Sequence, residues 1–188
     1  RSLQDLMGLA KADPGKLTFG SAGAGNTTHL SMELFKAKMG LDIVHVPYKG
    51  ANPALNDLVA GHVSMMVTGL SGAKSLVEAG KLRALAITGD KRAAVWPQVP
   101  TFAELGFKGF EPVGFFLVLA PAGTPKDILA KLSGGIARAV KSSDLSGRWR
   151  ELGLEAVGSS PEELGTEMKV LAETMDRAIQ AAKIKLDN

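Results

Sequence analysis

The sequence has no cysteine, a single tyrosine and only three histidines in 188 residues. The missing cysteines exclude disulfides, thiolate metal sites and a cysteine nucleophile, and fit either the cytoplasm or an exported protein. Aromatic residues make up 5% of the chain, too few for a base-stacking surface, and the net charge is only +3. The cations Lys36, Lys38, Lys81, Arg83, Lys91, Arg92, Arg148 and Arg150 are scattered rather than gathered into a stripe. Nucleic-acid binding is therefore not expected. No apolar run reaches the roughly 18 residues of a membrane helix, and the longest candidate, near 113–122, is cut by Pro121. The histidines His29, His45 and His62 lack H-E-x-x-H or another metal spacing, so no metal or cofactor is expected. Ser21 sits in Gly20-Ser21-Ala22-Gly23 rather than in a G-x-S-x-G elbow. The carboxylates form no obvious pair, so no catalytic constellation assembles.

What is present is a folded α/β pattern. Hydrophobic residues are 45% and charged residues 22% of the chain, which excludes a disordered one. Apolar segments at 17–20, 42–46, 63–67, 82–88, 115–120 and 154–157 read as strands. Helices are expected at 2–12, 27–39, 53–60, 72–79, about 125–141 and from 161 to about 183, with Ser2, Asn52 and Ser160 as opening caps. Thr101-x-x-Glu104 is a capping box for a short helix closed by Gly106. The β-α-β-α order argues a mostly parallel sheet with helices on both faces. Residues 89–112, broken by Pro97, Pro100 and Pro112, suggest an irregular crossing between two lobes. The opening residues already lie in a helix pattern, so a start at Arg1 reads as a cut, and localisation is not legible there.

The richest stretch is Lys16 to Leu30: a short strand, the glycine-rich loop Gly20-Ser21-Ala22-Gly23-Ala24-Gly25, then a helix capped by Asn26 or Thr27. Such a loop is expected to aim unpaired N–H groups and a helix dipole at one point, a site for a carboxylate or phosphate. It is no Walker loop, because Asn26 follows Gly25. It offers G-x-x-G-x-G rather than G-x-G-x-x-G, and the following strand, Ile43 to Val46, ends without an acidic residue. Three readings stay open from the loop alone: a small-anion site, a nucleotide site, and a tight turn that holds nothing. His45 reads as a satisfied core or strand-end residue and His62 as exposed. His29 serves either an anion or packing. Ser21, Asn26, Thr27, Thr28, Tyr48, Lys49, Thr68 and Ser71 fall at strand C-terminal ends, where ligands bind in open α/β sheets.

At these residues the chain resembles the substrate-binding proteins of tripartite tricarboxylate transporters, the Bordetella uptake gene (Bug/TctC) type. The resemblance rests on Gly15-Lys16-Leu17-Thr18-Phe19-Gly20-Ser21-Ala22-Gly23 with Gly25, and on Val46-Pro47-Tyr48-Lys49-Gly50 with Pro53-Ala54-Leu55. It continues through Ala79-Gly80-Lys81-Leu82-Arg83-Ala84-Leu85-Ala86, Val99-Pro100-Thr101 with Glu104 and Gly106, and Ala120-Pro121-Ala122-Gly123-Thr124-Pro125. Each motif is weak, but five in the family's order, across nearly the whole chain, are specific.

The resemblance implies a periplasmic-binding-protein-like, two-lobed Venus flytrap in the periplasm. It implies capture of a small carboxylate for a membrane permease, with no chemistry on the ligand. The implied ligand residues are Ser21, Ala22, Gly23, Gly25, Asn26, Thr27, Thr28, His29 and Thr68. Many members carry Asp where Thr68 stands, so a dicarboxylate or aromatic carboxylate is expected rather than an amino acid. Nothing matches the first lobe's proline-glycine-glycine loop. The expected division is a complete second lobe over 14–112, with 1–13 and 113–188 as hinge and part of the first lobe. One binding wall is then missing, and a homodimer through the C-terminal half is expected. The competing readings are a sensor or interaction domain and, further off, an enzyme acting on an anionic substrate.

Overall fold

The computed structural model describes residues 2–89, 91–107 and 116–181. Its elements are α1 (Leu3–Ala12), β1 (Thr18–Ser21), α2 (Thr27–Met39), β2 (Val44–Pro47), α3 (Ala51–Ala60), β3 (Met65–Met66), α4 (Leu70–Glu78), α5 (Lys126–Val140), α6 (Ser143–Glu151) and α7 (Pro161–Ala181). The chain divides into two compact units, Arg1–Gly114 with Met175–Asn188, and Phe115–Thr174.

The first unit is built on a parallel sheet of order β2-β1-β3. Phe19 pairs with His45 and Met65, and Ser21 with Pro47. Alternation along β1 sends Phe19 and Ser21 to one face and Gly20 to the other. Phe19 shares a buried core with Met32 and Phe35 of α2, Leu41, Ile43, Met65 and Phe102. Across the sheet, a Cβ on Gly20 would meet Tyr48, Val63 and Ala54 of α3 at ordinary contact distance. Helices thus cover both faces, as the element order requires.

Local chemistry accounts for the helix ends. Ser2 and Asp5 form a reciprocal capping box on α1. Asn26 caps α2, accepting from the Thr28 amide at 3.1 Å. Gly40 closes α2 in the left-handed region at φ 61°. Ser160 and Glu163 bond reciprocally across the start of α7. Residues 1–13, expected as hinge and first-lobe sequence, supply α1 to the first unit's core. Leu3 and Ala10 are buried there and Leu6 and Met7 pack against it, at 3–4 spacing.

Several expectations need correction. α3 begins at Ala51 after Gly50, so Asn52 and Pro53 lie inside its first turn, where proline's missing N–H costs nothing. Residues 82–88 form no strand. Their pairing is one parallel bridge, Ile87 to Thr101, and a single bridge is not a ladder. Thr101 and Glu104 do make the reciprocal capping bonds, but they close a turn instead of a helix. Residues 116–120 and 154–157 are irregular chain without a ladder partner among the described residues, and 115 lies outside them. α6 is an additional helix: Gly147 interrupts it, and its apolar face is only Leu145 and Trp149, with Leu152 just beyond its end.

The second unit contains α5, α6 and most of α7. Trp149 donates its indole N–H to the Val140 carbonyl at 2.9 Å, tying α6 to the end of α5. Among the described residues of 116–173 none is buried. Phe116 is 84% exposed and Leu119 77%.

Candidate functional site

Because the three strands are parallel, their carboxyl ends share one edge. Ser21 ends β1, Pro47 ends β2 and Met66 ends β3. The chain leaves β1 toward β2 on one side, then crosses to β3 on the other, so the topological switch point falls between β1 and β3. In open α/β sheets that is where ligands bind. The glycine loop 22–26 rises from one side of this crevice, and Thr68, half-buried two residues past β3, from the other. Thr68 makes no hydrogen bond to the loop among the described residues. What it shares with the loop is the edge.

The loop is zipped to the turn after β2. The Tyr48 amide donates to the Ser21 carbonyl at 3.1 Å and the Gly50 amide to the Ala22 carbonyl at 3.2 Å. Gly25, at φ 73°, takes a left-handed turn that a side chain disfavours. The expectation of a fan of unpaired N–H groups is corrected by the loop's own acceptors. Ala22 N–H donates to Thr28 Oγ1 at 2.9 Å, Gly23 N–H to Ser21 Oγ at 3.2 Å and Gly25 N–H to His29 Nδ1 at 3.1 Å. Asn26 N–H donates to the Gly23 carbonyl. Ala24 and Thr27 are exposed, and their amides have no acceptor among the described residues. The Thr27 and Thr28 hydroxyls both rest on Asn26 Oδ1 at 3.3 Å. The loop is thus a self-satisfied cradle at the positive end of α2, with two open amides and exchangeable hydroxyl partners.

Beneath the loop lies a cluster that sequence reasoning did not assemble. His29 and His45 stack with ring centroids 3.8 Å apart and planes 12° off parallel, and Phe19 lies 4.7 Å from His45. Ser21 Oγ is 2.7 Å from His45 Nε2. Burial and, second, the neighbouring His29 charge push His45 down from 6.5 to about 4, so its imidazole is neutral at pH 7. On α2, Glu33 stands 3.9 Å from His29 Nε2 and binds Lys36 at 2.6 Å, while Lys36 lies over the Phe19 ring. Only the four-residue step from His29 to Glu33 was a signal in the sequence; the Phe19–His45 pairing and the ring stack join separate elements. A second network braces the β2 turn. Tyr48 donates its hydroxyl to Asp57 Oδ2 at 2.7 Å, and Asp57 also meets His62 at 3.3 Å. The Tyr48 hydrogen bond holds the Asp57 carboxyl below its usual range, and Asp57 pushes the phenol up.

No group of three or more His, Asp or Glu side chains able to hold a metal occurs among the described residues. No described helix is long and apolar enough to cross a membrane.

Comparison with known proteins identifies the family and the fold. The family model of the tripartite tricarboxylate transporter family receptor, TctC, matches residues 1–184. A protein encoded between tcbD and tcbE in Pseudomonas sp. (strain P51) is 37% identical over 180 residues, covering 95% of this chain and 54% of its own length. BugT of Bordetella pertussis is 35% identical over 162 residues, 86% of this chain and 50% of its own. Among solved structures, R. palustris Rpa4515 with adipate superposes with TM-score 0.93 at 37% identity, over 97% of this chain and 61% of that one. MatC of Rhodopseudomonas palustris with bound malate superposes with TM-score 0.77 at 29% identity, over 97% and 62%. The chain spans about half the length of the curated relatives it matches. Its parallel-sheet α/β architecture is that of these binding proteins, and the chain belongs to the TctC family of tripartite tricarboxylate transporter receptors.

Proposed function

We propose that this chain is the ligand-capturing part of a periplasmic receptor that hands a small carboxylate to a membrane permease and does no chemistry on it. The observation that carries this reading is the glycine loop at the β1/β3 switch point, with the Ala24 and Thr27 amides open at the start of α2. A carboxylate there is held by backbone donors and the Thr27 and Thr28 hydroxyls, with Ser21, Ala22, Gly23, Gly25, Asn26 and His29 shaping the cradle. Thr68, opposite, is neutral and suits a ligand's distal polar end rather than an ammonium group. Adipate and malate, the ligands in two structural relatives, are both dicarboxylates, and a dicarboxylate is the ligand class we assign.

Against catalysis stands the accessibility of Ser21. Its pairing with His45 has the spacing of a nucleophile and base, but Ser21 is 0% exposed and also engages Gly23, so no substrate reaches it.

We read residues 14–112 as a complete second lobe and 1–13 with 113–188 as hinge and part of the first lobe, so that these 188 residues supply one wall of a two-walled site. Affinity of this chain by itself is then weak, because flytrap closure needs ligand contacts from both lobes. The apolar surface at Phe116, Val118 and Leu119 favours self-association through the C-terminal half.

A thermal-shift screen of carboxylates tests the reading, since specific binding raises stability by mass action. Dicarboxylates should raise the melting temperature. A panel in which only nucleotides do so would overturn it.

A further inference from the structure

We infer that His29 is a proton-operated latch on the glycine loop: neutral, it holds the Gly25 amide; protonated, it releases that amide and offers an anion two converging donors. The inference deepens the carboxylate reading and, in its final step, rests on it.

The geometry begins with Gly25 N–H, which donates to His29 Nδ1 at 3.1 Å. An imidazole nitrogen that accepts carries no proton, so this bond requires the tautomer with hydrogen on Nε2. Nε2 faces the Glu33 carboxylate at 3.9 Å. Protonating Nδ1 sets N–H against N–H, and the Gly25 bond must break. Gly25 is exposed and sits in a left-handed turn of a glycine-rich loop, so the amide has room to swing toward solvent. His29 is itself buried, its side chain 7% exposed, so a carboxylate oxygen reaches the imidazolium only through the gap that the Gly25 turn leaves as it swings out, where it accepts from the Gly25 amide and the imidazolium together.

The surroundings select His29 to take the proton. Facing it among the described residues are His45 from β2, stacked at 3.8 Å, and Glu33 and Lys36 from its own helix. Phe19 and Ser21 of β1 add no charge. Burial opposes charge on His29 as it does on His45; the Glu33 carboxylate, 3.9 Å from Nε2, favours it, and Lys36, drawn onto Glu33 at 2.6 Å, opposes it in part. His45, pushed down to about 4 by burial and then by the His29 charge, stays neutral over this range, so the stacked pair carries one proton at a time. Its bond to Ser21 persists, because the hydroxyl both donates and accepts. The sheet edge therefore stays intact while the loop opens.

The consequence is that anion capture takes up a proton, and affinity rises as pH falls toward 6. The test is NMR of the 188-residue chain, following the His29 ring nitrogens and the Gly25 amide from about pH 8 to about pH 5.5, without ligand. We expect Nδ1 to pass from acceptor to protonated with the same midpoint as the Gly25 amide shift. Glu33→Gln should lower the two midpoints together, the Gly25 amide following the ring, whereas a merely structural histidine would shift without it. His29→Asn, which keeps an acceptor but cannot titrate, should leave the Gly25 amide flat across the range. A Gly25 amide that stays put while His29 titrates, or a His29 neutral throughout, overturns the latch. An adipate titration at about pH 6 and about pH 8 should then show affinity at least about fivefold tighter at the lower pH. Coincident His29 and Gly25 titration with no adipate binding at either pH keeps the latch and counts against the carboxylate reading. Equal adipate affinity at both pH values overturns the proton coupling.

Discussion

Ser21 Oγ and His45 Nε2 stand 2.7 Å apart, joining β1 and β2 by their side chains where the backbone ladder ends at Pro47. Ser21 is fully buried and also accepts from the Gly23 amide. This one hydroxyl couples the sheet to the glycine loop. Ser21→Ala leaves the Gly23 amide and a histidine nitrogen without their partner. We expect a loss of about 1–3 kcal/mol in denaturant unfolding, together with faster hydrogen exchange at Gly23. Unchanged stability and exchange would show that the hydroxyl does not tie the two together.

His45 carries a pH signature. Its folded value lies at about 4, below 6.5. Between these values the unfolded chain binds a proton that the folded chain refuses, so stability is full above 6.5 and falls as pH drops toward about 4. The loss attributable to this group is at most about 3 kcal/mol. His45→Gln, which can still bond Ser21, should flatten this part of the profile. An unaltered profile would assign the acid limb to other groups.

Tyr48 and Asp57 act at both ends of the pH scale. The depressed Asp57 carboxyl contributes stability that is present above its ordinary range, about pH 4, and lost as pH falls below it. The raised Tyr48 phenol contributes stability that is present below about pH 10 and lost above it. Tyr48→Phe should weaken both flanks in a pH series of thermal melts, and should loosen the 47–50 turn that is bonded to Ser21 and Ala22. Flanks that match the parent chain would contradict the brace.

How much of this was legible in the sequence depends on where the partners lie. Helices α1, α2 and α7 declared themselves through Ser2, Asn26 and Ser160 and through 3–4 apolar spacing, all local information. The order of β1, α2, β2, α3 and β3 was likewise legible, and it places the loop and Thr68 at one edge. Strand status at 82–88, 116–120 and 154–157 was not, because a strand exists only with a ladder partner and apolar composition says nothing of one. The satisfied state of the loop was hidden for a similar reason. Glycine spacing suggests open amides, while the acceptors Thr28 Oγ1 and His29 Nδ1 appear only when the helix folds back under the loop. The His29–His45 stack joins residues on different elements and had no one-dimensional signature.

The second unit's exposed apolar chain should drive association. Replacing both Phe116 and Leu119 with Ser removes two of its most exposed apolar side chains. Light scattering should show oligomers of the parent chain at high concentration and a shift toward monomer in the double variant. A parent chain that is monomeric at every concentration would refute the association.

The most direct test of the carboxylate site is an adipate titration of the 188-residue chain followed amide by amide, sensitive to affinities as weak as about 1 mM. The account predicts saturable shifts concentrated at Ala22–Thr28 and at Thr68, and their loss in Ala24→Asp, whose carboxylate would repel the ligand at the open amides. Saturable shifts elsewhere on the chain, or the same shifts undiminished in Ala24→Asp, would contradict it.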